Sequence, residues 1–189
     1  MSSLLSCHFV HKGTLSWTRR FQHDTLGRMF TVNDSLAFGL SSSALLLKRY
    51  VADLSAQEFH HRPSPNANCA AWTVGHLAVT DRRSLSRLGA PLPEMPAGFD
   101  KRFSRDEGCP QAQEFGDVKQ IVAVFDEHRN RLIAAVKVAT TAQLDQQLEK
   151  PIAMASTVGE ALEFVAVHTA MHAGQIVMIR RSLGRPPLM

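Results

Sequence analysis

The feature that most constrains this chain is a long helix, signalled at both ends, whose apolar seam is interrupted by two histidines. Thr157 is followed three residues later by Glu160, the pattern of a capping box, and Gly184 followed by Pro186 and Pro187 reads as a stop. Roughly seven turns lie between them. Read at alternating spacings of four and three, the inward seam is Ala161, Val165, His168, His172, Gln175 or Ile176, and Ile179. A buried polar group without a partner costs about 1–3 kcal/mol, so two imidazoles in the middle of an apolar stripe need an explanation. A divalent ion would supply one. The spacing of four puts His168 and His172 on one helix face within reach of a single ion, the geometry of the paired histidines in zinc proteases, although the glutamate of that motif is missing. An isolated His-x-x-x-His is a weak signal that needs a third ligand, and core histidines satisfied by backbone carbonyls are the plainer alternative.

Length and charge narrow the surroundings of that helix. A chain of 189 residues with 44% hydrophobic content suits one domain with a sizeable core. The net charge of +4 is unevenly placed: residues 29–189 hold 17 basic and 16 acidic side chains. That near balance gives no electrostatic argument for nucleic acid. Cys7, Cys69 and Cys109 are far apart and form no Cys-x-x-Cys pair, which suits a reducing compartment and a cytoplasmic location, and argues against a disulfide framework.

Residues 1–28 show neither helical periodicity nor strand alternation. Leu4-Leu5-Ser6-Cys7 resembles a lipoprotein cleavage site only in passing, with no basic segment or long apolar run before it. Met29 stands directly before a helix start, so residues 1–28 are expected to be a gene-model extension, with a disordered basic tail as the rival reading. A first amphipathic helix is predicted from Asn33 or Ser35 to about Leu54, with Leu36, Leu40, Ala44, Leu47 and Val51 on its seam. Arg62-Pro63-Ser64-Pro65-Asn66 breaks the pattern. A second helix is predicted to begin at Thr73 as N-cap and to stop at Gly89. Pro91 to Gly116, with four prolines, reads as a long irregular connection that would suit a cover over a pocket. A third helix follows from Asp117 with Ile121, Phe125, Leu132 and Ala135 on its seam; a turn near Thr141 to Leu148 then leads to the last helix. No strand and no transmembrane run is predicted.

Four helices with one long crossover predict an all-α four-helix bundle, over residues 29–189. Bundles build sites from inward side chains on neighbouring helices, which brings His76 into consideration. In the first turn of the second helix, as predicted, the helix dipole would keep its ring neutral, the form a metal needs, while mildly opposing the cation itself. Trp72-Thr73-Val74-Gly75-His76-Leu77, His168-x-x-x-His172-Ala173-Gly174-Gln175-Ile176 and Arg180-Arg181-x-Leu183-Gly184-x-Pro186 together resemble the DinB-like superfamily of bacterial four-helix bundles. The likeness runs over about residues 30–187. It implies a three-histidine site for a divalent ion, zinc or nickel, with His76, His168 and His172 as ligands and at least one position left for water or substrate. It also implies frequent dimerisation. In some members it implies metal-dependent transfer of a low-molecular-weight thiol to a small-molecule substrate; fold is more uniform in the superfamily than function.

Around this core, His128 falls on the third helix's seam, as a pocket-lining or satisfied core residue and not a fourth ligand. Gln175, near His172, suits a hydrogen bond to a ligand or between helices. Gly174 suits close helix packing. Thr80 and Asp81 carry no assignable role. Arg82, Arg83 and Arg87 read as a solvated face, and Arg180, Arg181 and Arg185 as complements to the negative end of the last helix. Cys69 reads as structural. Phe164, Met171 and Met178, at spacings of seven, mark a second apolar face on the last helix that a homodimer would bury. Neither a nucleic-acid nor a membrane partner is expected.

Overall fold

The computed structural model describes residues 29–104, 114–186 and 188. The leader read over residues 1–28, together with Cys7 and Cys109, lies outside them. The architecture is all-α with a small hairpin. Helix α1 (Val32–Val51) starts on a capping box in which Thr31 and Asp34 satisfy each other's backbone, one to three residues before the expected Asn33 or Ser35. It ends at Val51, short of the expected Leu54, and Ser55 with Glu58 caps the single turn α2 (Ala56–Phe59).

Helix α3 (Ala70–Arg87) begins four residues before the predicted start. Cys69 is its N-cap, and Thr73, expected in that role, lies inside the helix with its hydroxyl donating to the Cys69 carbonyl at 3.0 Å. Pattern reading failed here because Ala70, Ala71 and Trp72 are all buried and offer no polar side to mark the first turn. Gly89, at φ +67°, ends the helix as expected. The connection that follows contains the short α4 (Phe99–Arg102) and buries Phe99, Phe103 and Phe115 in the core beside Trp72, so its described parts are anchored by aromatic burial.

Helix α5 (Val118–Lys137) starts at Asp117, as predicted, and α6 (Thr141–Leu144) is capped by Thr140 and Gln143. A hairpin missed by the sequence reading follows, β1 (Gln147–Ile152) paired antiparallel with β2 (Ala155–Thr157). Its strands are short, charged and mostly exposed, with Ala153 at φ 53° in the turn, so the alternation that advertises a strand is absent. Helix α7 (Val158–Ser182) starts on the predicted Thr157–Glu160 box. By length and composition it is apolar enough to cross a membrane, a property overlooked in the sequence, and its buried residues serve as a wall of the bundle core.

The long helices pack in a ring, α1 on α7, α7 on α3, α3 on α5 and α5 on α1. The core inside this ring is divided in two. One apolar cluster gathers Trp72, Leu77, Phe103, Phe125 and Ile176; the other gathers Leu40, Leu85, Leu132, Leu162 and Val165. Between them runs a polar layer built on Arg129, which is 2% exposed. Its Nε donates to Asp81 at 2.7 Å, and its two terminal nitrogens reach Asp81 at 2.9 Å, Thr169 at 2.9 Å, the Leu40 carbonyl at 3.0 Å and Ser43 at 3.4 Å. All five donors of the guanidinium are used, and every long helix contributes to the set. Burial pushes the Asp81 carboxyl up, and the facing Arg129 partly offsets that push. At the far end of α7, Arg185 pairs with Asp53 and Glu58, and its hydrogen bonds bring Glu58 down to about 2; Arg180, buried, holds Asp53 and the Tyr50 carbonyl. These contacts, more specific than a dipole interaction, are what Arg180 and Arg185 do.

Removing one member of the central pair strands the other in a site that cannot hydrate it. Arg129→Met is expected to lower stability by about 3–5 kcal/mol in urea unfolding, while the double variant Asp81→Leu/Arg129→Met recovers most of the loss. Equal losses in the single and double variants would show that packing, and not the uncompensated charge, sets the cost.

Candidate metal centre

Three histidines from two helices converge at the end of the bundle that holds the Trp72 cluster. His76 comes from α3, and His168 and His172 from successive turns of α7, with one potential ligand atom from each lying within 4.8 Å of the other two. The Nε2 atoms of His168 and His172 are 3.0 Å apart. Two nitrogens bound to one ion at about 2.1 Å and subtending roughly 90–110° would stand about 3.0–3.4 Å apart, so this spacing suits a shared ion.

The protons are arranged from outside the trio. His76 Nδ1 lies 3.1 Å from the Phe103 carbonyl, and because a carbonyl can only accept, Nδ1 carries the hydrogen and Nε2 keeps its lone pair. His172 Nδ1 lies 2.8 Å from the Gln175 amide oxygen and is fixed in the same way. Burial lowers the His172 pKa, against a smaller opposing effect of that hydrogen bond, which favours the neutral ring. Hydrogen-bonded outer partners of this kind orient metal-ligating histidines and raise their basicity. Aromatic packing fixes the ring planes: Trp72 stacks on His76 at 4.6 Å between centroids and 6° between planes and meets His172 edge-on at 6.4 Å, while Phe164 stacks on His168 at 6.1 Å. Three imidazoles of borderline softness, two with anchored tautomers, are a donor set that fits zinc, nickel, copper or iron. No Asp, Glu or Cys joins the group among the described residues.

The sequence model of the DinB superfamily matches residues 42–176, a span that contains all three histidines. The chain belongs to the DinB superfamily. Its fold is similar to the crystal structure of a conserved protein from Enterococcus faecalis, with a TM-score of 0.66 at 15% identity over 83% of this chain and 100% of that one. No curated protein matches the chain.

In this DinB-superfamily chain His76 is the seventh residue of α3, in its second turn, because the helix starts at Ala70. The dipole argument therefore does not apply to it; what the fold supplies is the Phe103 hydrogen bond, which sets the tautomer through a contact across 27 residues that spacing could not reveal. His168 is half-buried where a fully inward position was expected. His128 is buried on α5, with Nδ1 2.8 Å from the Val124 carbonyl, and stands outside the trio. Gln175 is exposed and takes up the expected contact with His172. Gly174 is not a packing glycine within this chain: a Cβ there would meet nothing within 4 Å among the described residues. Cys69 is fully buried at the start of α3, as a structural residue would be.

The glycine that matters for packing is Gly75, next to His76. A Cβ built on it would overlap the Phe103 ring, whose carbonyl holds His76 in its tautomer. Gly75→Ala is expected to displace Phe103, cost about 1–3 kcal/mol of stability in denaturant unfolding and loosen the fixed tautomer. Nitrogen NMR of the imidazole rings reads the tautomer directly. An unchanged Nδ1–H signal for His76 in the variant would show that the Phe103 carbonyl does not set it.

Proposed function

We propose that this DinB-superfamily protein binds one divalent ion, zinc or nickel, through His76, His168 and His172, and uses it to direct a small thiol, or water, onto an electrophilic small molecule. The observation that carries the reading is the convergence of the three imidazoles, two of them with Nδ1 hydrogen-bonded to carbonyl oxygens, so that Nε2 is the nitrogen with the lone pair. Bound there, a divalent ion supplies Lewis acidity at neutral pH without a nucleophile from the protein itself.

The chain's own residues do the remaining work. The Phe103 and Gln175 oxygens hold the Nδ1 protons of His76 and His172, which fixes the tautomer and orientation of both rings. Trp72 and Phe103 close the core side against water, which strengthens electrostatic interactions at the centre. With no carboxylate in the group among the described residues to act as base, the proton of the attacking thiol or water is left to solvent on the half-exposed His168 side. Thiol transfer is preferred over hydrolysis on the superfamily likeness. A homodimer and a cytoplasmic setting belong to the same proposal. Met171 and Met178 are 61% and 55% exposed, and Gly174 lies between them on the same bare face, which gives a second copy an apolar surface to cover. Phe164, read from sequence as part of that face, is half-buried against His168.

Metal analysis of protein purified without chelators or an affinity tag is expected to find about one ion per chain, and His168→Ala to lose most of it while circular dichroism stays helical. Wild type that remains empty after reconstitution with zinc and with nickel would rule the centre out. Turnover of a panel of electrophiles with several cellular thiols is expected in the loaded wild type and at least about a hundredfold less in His76→Ala, as losses of ligand-shell contacts do elsewhere. Equal rates in the two proteins would defeat the mechanism, and silence with every thiol and with water would leave a metal-binding bundle without catalysis.

A further inference from the structure

A second site-like cavity lies along α3 from the histidines. It has a volume of about 400 Å³ and is walled by Arg82, Arg83 and Ser86 from α3 and by Lys101 and Ser104 from the connection. From sequence these arginines read as a solvated face; the fold brings Ser86, Lys101 and Ser104 to line the same space. Among the described residues, neither Arg83 nor Lys101 has an ion-pair partner. Arg82 is half-buried and held in place by donating to the Pro93 carbonyl, which leaves its charge uncompensated. The single acid on the wall, Asp100, turns one oxygen to the Lys101 backbone N–H at 2.8 Å. Crowding of like charge is felt nearby, where burial first and Arg83 second lower the pKa of Arg87.

We propose that this cavity binds a small ligand through a phosphate-class anion. Three cationic side chains from two segments on one wall match a group with several oxygens and a double negative charge better than a planar carboxylate with two oxygens. Val79 and Leu92 give the cavity an apolar wall for the ligand's remainder. His76, Val79 and Arg83 follow one another at helical spacing on one face of α3, so the cavity begins roughly 10 Å or less from the histidine trio. The anion site stands on its own lining and does not require the metal reading.

Calorimetric titration with inorganic pyrophosphate at about 0.15 M salt tests it, since surface charges alone are largely screened there. Saturable one-to-one binding is expected, weakened at least about tenfold in Arg83→Gln/Lys101→Gln, because two charge-assisted contacts are lost. Both side chains are exposed, so the variant should fold as the wild type does. Arg131→Gln/Lys137→Gln, both exposed on α5, removes the same two charges elsewhere and should bind as the wild type does. Three results would overturn the proposal: no saturable binding, equal affinity in the Arg83/Lys101 variant, or binding lost in His168→Ala, which would assign the anion to the histidine centre. Citrate that bound as tightly as pyrophosphate would overturn the phosphate assignment.

Discussion

The structure depends on one buried guanidinium. Arg129 sits between two apolar clusters and satisfies all five of its donors on Asp81, Thr169, Ser43 and the Leu40 carbonyl, so that α1, α3, α5 and α7 meet in a single polar plane. Apolar side chains alone tolerate sliding of one helix past another, because dispersion is non-directional and many registers bury similar area. A forked ion pair does not. Any register other than this one leaves a charge in the core, and that sets the heights of the helices that carry the histidines: Thr169, which Arg129 grips, is the residue after His168, and Asp81 is five residues after His76.

That layer is where the sequence reading stopped short. Asp81 was visible as an acid in the second helix, between Leu77 and Leu85 at spacings of four, and Arg129 lay between Phe125 and Leu132 on the third. An acid and a base, each on an apolar face, could have been matched as partners, but periodicity treats each helix alone and says nothing about which faces meet. The helix ends tell the same story from the other side. Thr157 with Glu160, Asp117 and Gly89 were legible because a cap is a local hydrogen bond or backbone angle written in a few neighbouring residues. The start of α3 and the hairpin were not, the former because its first turn is buried on all sides and the latter because its strands are nearly all surface.

The candidate centre divides along the same line. His168 and His172 follow from one helix and one spacing, while His76 was a candidate from the bundle architecture and a ligand only through the resemblance to the family to which the chain belongs. What surrounds the rings was out of reach. The Phe103 carbonyl, the Trp72 stack and the exposure of His168 all arise from segments brought together only by the fold. Gln175 is the exception, since it is three residues from His172 on the same helix and its contact is local.

The Phe103 carbonyl carries one more implication. It belongs to the irregular connection and not to a bundle helix, yet it fixes where the His76 proton resides. The electron density that His76 offers to an electrophile is therefore under the control of a segment that contributes no candidate ligand. A change of length or sequence in that connection can move the carbonyl by a fraction of an ångström and retune the centre, with every histidine left in place. In a scaffold of this kind, reactivity can diversify through the connection while the bundle and its three imidazoles stay as they are.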